Sequence, residues 1–235
     1  TSFDNHLFKE LLGDGSQWGI NIQYEVQSSP QGIAQAFIIG EKFISNSNIS
    51  FILGDNLFHG NQLLSQLHEA DQRDQGATLF AYTVNDPERY GVLEIDDKGK
   101  VLSIEEKPKK PKSRFAITGL YYYDNMISEY AKSLKFSSRN ELEISDINKI
   151  YLKEGKLNVQ LMGRGTAWLD TGTIDSLHEA SSYIRTLENR QGLKISCPEE
   201  IAWRNYWISD KELASLAKSI SNSGYGKYLM KLLNE

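Results

Sequence analysis

Short apolar runs alternate with amphipathic stretches through the first two-thirds of the chain, which predicts strands and helices in turn. INIQYEVQ (20–27) alternates like a strand, and Pro30 and Gly32 then introduce a helical run, IAQAFIIGEKF (33–43). ISFIL (49–53) reads as a short strand buried on both faces, NQLLSQLHEADQRD (61–74) as a helix, and ATLFAYTV (77–84) as another apolar strand. This βαβαβ rhythm predicts an α/β fold with a mixed, mostly parallel central sheet and right-handed crossovers.

The middle of the chain changes character. YGVLEIDDKGKVLSIEEKP (90–108) reads as two strands joined by the turn Asp97-Lys98-Gly99, and FAITGLYYYD (115–124) as a tyrosine-rich strand. ELEISDINKIYLKEG (141–155) is an amphipathic helix stopped by Gly155, and KLNVQLMG (156–163) is a strand. AWLDTGT (167–173) is a second junction between apolar run and acid, leading into a long helix at 174–192. After Gly192 the strand pattern stops, and helical stretches at 198–208, 211–220 and 226–235 predict a C-terminal helical segment, 193–235.

Composition acts by exclusion. With 40% apolar residues the chain can bury an ordinary core, and its net charge of −5 argues against a general nucleic-acid binder. Its single cysteine, Cys197, excludes an intrachain disulfide and a cysteine-based zinc site. No apolar run approaches the ~18 residues of a membrane span, and no signal-peptide pattern opens the chain, so a reducing, cytoplasmic setting is expected.

Two acids stand out, because Asp55 and Asp170 each follow an apolar strand and are flanked by glycine and small polar residues. In open α/β sheets ligands gather at the carboxyl ends of strands, so both acids could face one crevice. A pair of carboxylates there suits Mg²⁺, which takes one or two hard protein oxygens and the rest from phosphates and water. Equally, each acid could cap a helix, Asp55 that at 61–74 and Asp170 that following Thr173. Lys107, in EEKPKKPK (105–112), ends a strand before Pro108, which predicts an extended exit. It could meet a phosphate as a point charge, whereas Lys109, Lys110 and Lys112 read as a solvated basic loop. In QSSPQG (27–32), Gln27 could read a base edge and Gly32 could admit a ring close to the backbone, although most such loops are merely turns.

Seven ordered blocks, QSSPQGIAQAF, LGDNLF, DPERYGV, EEKP, ITGLYYYD, ELEISDIN and WLDTGT, together resemble the glucose-1-phosphate thymidylyltransferases of the sugar nucleotidyltransferase superfamily. The tail TLENRQGLKISCPEEIAW is similar to the C-terminal region of their short bacterial form. The resemblance implies a Rossmann-like nucleotidyltransferase domain over 1–192. It implies transfer of a thymidylyl group from dTTP to glucose 1-phosphate, giving dTDP-glucose and pyrophosphate for deoxysugar biosynthesis of the dTDP-rhamnose and O-antigen type. It further implies that Asp55 and Asp170 hold Mg²⁺ and that Lys107 grips the sugar phosphate. Asn56, Gly91, Glu106 and Ile117 would line the sugar pocket, and Gln27 and Gly32 would belong to the thymine-recognition loop. A homotetramer with a regulatory nucleotide site near His59 and Gly60 is implied as well.

One family feature is missing. The loop G-G-x-G-T-R-L-x-P-x-T, which cradles the triphosphate, occurs nowhere in the chain, and TSFDNHLFKELLGDGSQWG (1–19) matches a helix inside the family's first third. The expectation is an N-terminally truncated chain, lacking the first βα unit and inactive by itself. The alternatives are a non-catalytic sugar-nucleotide binder and a uridylyltransferase using UTP.

Overall fold

The apolar runs at 49–53, 77–84 and 115–124 lie side by side in a computed structural model, which describes residues 6–234. Helix α1 (His6–Leu12) comes first among the described residues, and α2 (Gln35–Ile39) and α3 (Glu41–Ile44) lead to β1 (Ile49–Ile52). Next come β2 (Asn56–Gly60), α4 (Leu63–Asp71), β3 (Ala77–Thr83), β4 (Gly91–Ile95), β5 (Val101–Glu106) and β6 (Phe115–Tyr123). Then follow α5 (Ile127–Ser133), α6 (Ile144–Lys153), β7 (Leu157–Leu161), β8 (Thr166–Asp170) and α7 (Ile174–Gln191). Helices α8 (Pro198–Arg204), α9 (Asp210–Ser219) and α10 (Gly224–Leu232) close the chain's described part.

Six strands form one sheet in the order β5-β4-β6-β3-β7, with β1 also paired to β6. The nine-residue β6 is long enough to serve two strands on one edge, β4 at Phe115 and Ala116 and β1 at Leu120–Tyr123. Helices cover both faces, as the side-chain alternation of a strand requires. Leu79, Ala81, Tyr121 and Tyr123 point to one face, with Phe37, Ile127, Ile147 and Tyr151 in its core. Phe80, Leu120 and Tyr82 point to the other, with Ala70, Leu63 and Leu67 of α4. Burial on both sides explains why β3 and β6 read as nearly unbroken apolar runs.

The α/β class with flanking helices is as expected, but the pairing differs. Among the described residues only β3–β7 is parallel; β1–β6, β3–β6, β4–β5 and β4–β6 are antiparallel. The cause lies in the connections. The chain reaches β6 through the β4–β5 hairpin and a loop, not through a helical crossover, and so enters between β1 and β3 in the opposite sense. The expected strand at 20–27 is also absent. Alternation is a local pattern, whereas a strand needs a hydrogen-bonded neighbour, and none pairs with this segment among the described residues.

Contacts gather Ser29–Ala180 into one compact unit, and the chain up to Ser28 with that from Ser181 into another, whereas the end of the strand pattern after Gly192 suggested a boundary at 192/193. The reason is packing: Leu12, Trp18 and Ile22 belong to the same core as Ala202, Leu213, Ala217 and Leu229 of the C-terminal helices. Helix α9 opens on a capping box, with Ser209 and Glu212 satisfying each other's backbone N–H groups. No helix among the described residues is long and apolar enough to cross a membrane.

Phe37 anchors the sheet's larger core, its ring 4.7 Å from that of Phe51 and 5.5 Å from that of Tyr123. Phe37→Ala should cost about 3–5 kcal/mol of stability, measured by urea denaturation, as is usual for a truncated buried aromatic.

Candidate active site

Beyond β1 the chain leaves the sheet at Leu53, whose N–H still reaches the carbonyl of Gly119 on β6 (2.8 Å). A tight turn, closed by the bond from Asn56 N–H to the Leu53 carbonyl (3.1 Å), starts β2. This strand pairs with β8 in a separate antiparallel ribbon whose register sets Asn56 opposite Asp170. Both the N–H and the hydroxyl of Thr171 donate to the Asp55 carbonyl, each at 2.8 Å. Asp55 and Asp170 thus arrive together at the end of one ribbon.

The absent side chain of Gly172 measures how close they come. A methyl group there would sit 3.1 Å from Asp170 Oδ1 and 3.8 Å from Asp55 Oδ2. Neither acid caps a helix. Strand β2 separates Asp55 from α4, whose N-terminus has no side-chain cap. At the start of α7 the Ser176 N–H is taken by the Thr173 hydroxyl (3.2 Å), while Asp170 accepts from Gly172 N–H (3.1 Å).

These acids edge a cleft of about 550 Å³ that is also lined by Asn56, Gly91, Glu106, Lys107 and Ile117. Gly32 is not among the described residues that line it. Gln27 falls in the other compact unit. Gly32 has φ +98°, and a Cβ there would lie 2.4 Å from the Leu142 carbonyl, so its backbone already serves a close internal contact. His59 and Gly60 sit on β2, opposite Ala167 and Thr166 of the ribbon.

Asn56 is held on three sides. Its Oδ1 accepts from Gly119 N–H (3.1 Å) and Trp168 Nε1–H (2.6 Å), and its Nδ2 donates to Asp55 Oδ1 (2.8 Å). Gly91 faces Glu106 in the β4–β5 ladder, and a Cβ at Gly91 would come within 3.3 Å of both Glu106 Oε2 and Ile117. The missing side chain therefore opens the cleft above Glu106, whose carboxylate accepts a hydrogen bond from the Ser145 hydroxyl.

Lys107 does not leave the strand extended as Pro108 predicts. Its φ is +43°, a left-handed value, and its N–H donates to the Tyr90 carbonyl (3.0 Å), which carries the hairpin one step past Glu106 while the chain turns. Among the described residues no carboxylate lies within 4 Å of the Lys107 ammonium, which leaves its charge for a ligand.

Sequence reasoning assigned no role to Arg89, Arg139, Glu143 or Trp168, all of which line the cleft. Arg139 is the hub of its far end, with one guanidinium nitrogen 2.6 Å from Glu143, 3.2 Å from Glu141 and 3.6 Å from Glu106. Glu143 is 8% exposed. Burial disfavours its charge, but hydrogen bonds from Arg139 and Ser137, with the charges of Arg139 and Lys107, outweigh burial and hold the carboxyl below its ordinary value. Two arginines in polar segments carry no periodic signal; only DPERYGV and ELEISDIN, as blocks, drew attention to their neighbourhood.

A cleft at the strand ends of an α/β sheet, edged by two carboxylates and by a lysine with no carboxylate partner, lies where such folds commonly take their ligands. The comparisons agree, since the model of the nucleotidyl transferase family matches residues 1–186, and the chain belongs to that family of enzymes. It is 56% identical over 232 residues to the glucose-1-phosphate thymidylyltransferase of Neisseria meningitidis serogroup A, covering 99% of this chain and 81% of the relative. The enzyme of the same name from Mycolicibacterium smegmatis is 52% identical over 234 residues, covering 100% and 81%. A crystal structure from Bacillus anthracis, provisionally assigned as the same enzyme and holding a sucrose, superposes with a TM-score of 0.72 at 39% identity. That match covers 82% of this chain and 74% of the other.

Glu143 has a testable signature. A carboxyl held below its ordinary value adds stability above the unfolded-state pKa of about 4.3, and that stability is lost as pH falls through the lower folded value. Glu143→Gln should therefore be less stable than the parent at pH 7 in urea denaturation, with the gap closing as the pH is taken down towards 3.

Proposed function

We propose that this chain transfers a thymidylyl group from dTTP to glucose 1-phosphate, releasing pyrophosphate and forming dTDP-glucose. The observation that carries the reading is the convergence of Asp55 and Asp170 at Gly172 on one side of the cleft, with the unpaired Lys107 and the Gly91–Glu106 pocket lining the same cavity.

The two acids present hard oxygens around a point that a single methyl group would fill, so the donor set suits Mg²⁺. Bound to Asp55 and Asp170, Mg²⁺ would supply charge neutralisation at the α-phosphate and the leaving group. Lys107 holds the phosphate of glucose 1-phosphate as a point charge, so that its oxygen faces the α-phosphorus in line. That oxygen is already anionic, so no general base is needed, and the described residues that line the cleft include no histidine. The P–O bond from sugar phosphate to α-phosphorus forms as the bond to pyrophosphate breaks. Glu106 accepts from a sugar hydroxyl in the room left by Gly91, Ile117 closes the pocket, and Asn56 keeps Asp55 in place. Base recognition at Gln27 and Gly32 rests on the resemblance of the 27–32 loop. The same resemblance supports a cytoplasmic homotetramer with a regulatory nucleotide site near His59 and Gly60, and supply of dTDP-glucose to dTDP-rhamnose and O-antigen synthesis.

The test is pyrophosphate release from dTTP plus glucose 1-phosphate with Mg²⁺, repeated with UTP, beside calorimetric binding of dTDP-glucose. Turnover that prefers dTTP supports the reading, and a preference for UTP makes the chain a uridylyltransferase. Binding without turnover is expected both of a sugar-nucleotide binder and of a transferase chain without the triphosphate-cradling loop, and neither binding nor turnover sinks the assignment. Lys107→Met should weaken glucose 1-phosphate binding about 10- to 100-fold, the value of one charge-assisted contact to phosphate. An affinity unchanged by that substitution would remove Lys107 from the phosphate site.

A further inference from the structure

Arg89 occupies the position of a competitor. It ends a short 3₁₀ turn, Pro87–Arg89, and one guanidinium nitrogen lies 2.9 Å from Asp86 while the other lies 3.9 Å from Asp170 Oδ2. The guanidinium also stands 5.3 Å from the centre of the Tyr90 ring. Its positive charge therefore sits beside one of the two carboxylates that converge at Gly172, where a second cation would have to approach. There is also space for it to withdraw. A neighbouring cavity of about 480 Å³ shares Arg89, Tyr90, Trp168 and Asp170 with the cleft and has Asp86 in its lining.

We propose that Arg89 is a resident counter-cation for Asp170, which a divalent metal ion displaces, and that Asp86 sets how firmly Arg89 is drawn away. The inference rests on the reading of Asp55 and Asp170 as metal acids. Two carboxylates brought together without a metal repel each other, and Arg89 relieves that repulsion in the metal-free protein. On metal arrival the guanidinium gives up Asp170 and keeps Asp86, to which it is already bonded, moving along the face of Tyr90. Arg89 is thus a positioning residue that tunes metal affinity through Asp170, and Asp86 acts through Arg89 in the opposite direction: without Asp86 the guanidinium has only Asp170 to pair with.

The probe is Mn²⁺, titrated into the metal-free full chain and followed by the electron paramagnetic resonance signal of the free ion, with no turnover required. Arg89→Met should tighten Mn²⁺ binding about two- to fivefold, the scale of an exposed ion pair. Asp86→Asn should weaken it by a similar factor, and Arg89→Lys, which keeps the charge, should stay near the parent. The double variant Asp86→Asn/Arg89→Met should bind like Arg89→Met alone, because Asp86 then has nothing to restrain. Unchanged or weaker binding by Arg89→Met overturns the proposal, provided that Asp170→Asn weakens Mn²⁺ and circular dichroism shows a folded chain. An Asp86→Asn effect that persists without Arg89 overturns the role of Asp86. If Asp170→Asn leaves Mn²⁺ binding unchanged, the metal-acid reading itself fails, and the proposal fails with it for that separate reason.

Discussion

The carboxamide of Asn56 is the joint on which the rest of the cleft depends. A carbonyl oxygen has two lone pairs, and Asn56 Oδ1 spends both, one on the Gly119 N–H of the central strand β6 and one on the indole N–H of Trp168 in β8. That fixes the orientation of the amide and directs Nδ2 to Asp55. One side chain thereby ties the sheet, the β2–β8 ribbon and a candidate metal acid into a single piece. The arrangement works only because residue 119 is glycine. A Cβ there would fall 2.6 Å from Asn56 Oδ1, inside any tolerable contact. The convergence of Asp55 and Asp170 is a consequence of this joint and of the Asn56–Asp170 register.

The electrostatics of the cleft follow from what that joint assembles. Its lining carries five carboxylates (Asp55, Asp170, Glu106, Glu141 and Glu143) against three cations, Arg89, Lys107 and Arg139. Phosphate-bearing substrates enter such a site only if its negative charge is already committed elsewhere. Arg139 draws in Glu106, Glu141 and Glu143, and Arg89 leans on Asp170 while bound to Asp86. Asp55 receives the Asn56 amide. With those acids committed, Lys107 is the cation of the lining with no carboxylate within 4 Å among the described residues, and Asp55 and Asp170 stand together at Gly172.

Much of this was legible in the sequence, because the signals were local. Runs buried on both faces, such as ATLFAYTV, announce central strands, and an acid or lysine where such a run ends announces a site at the sheet's rim. Asp55, Asp170 and Lys107 were singled out in that way, and all three line one cleft. The strand reading of 20–27 failed because alternation says nothing about a partner. The parallel pairing failed because strand sense is decided by connections: a hairpin, not a helix, delivers β6. Strand β2 stayed hidden in NLFHG, five residues whose ladder exists only because β8 arrives from a distant part of the sequence. Arg139 and Arg89 were invisible for a related reason, since an ion-pair hub is defined by partners that folding brings together.

Lys107 carries the argument from geometry to use one step further. A left-handed φ is natural for glycine and costs a non-glycine residue about 1–3 kcal/mol, so it persists only where its surroundings over-determine it. Here the Gly91–Glu106 pair and the bond from Lys107 N–H to the Tyr90 carbonyl do so, by holding the hairpin in register up to the residue before Pro108. Glycine would make the same turn without strain, and an extended residue would leave the strand by the route that proline favours. The turn nonetheless carries a lysine, and it sets Lys107, whose ammonium has no carboxylate within 4 Å among the described residues, in the lining of the cleft that Asp55 and Asp170 also edge. Strain at Lys107, absence of a side chain at Gly91 and saturation of Asn56 are three local departures from ordinary packing, and all three fall on the lining of one cavity. Packing for stability alone gives no reason to concentrate them there, whereas the proposed site for aligning two phosphates would use each one.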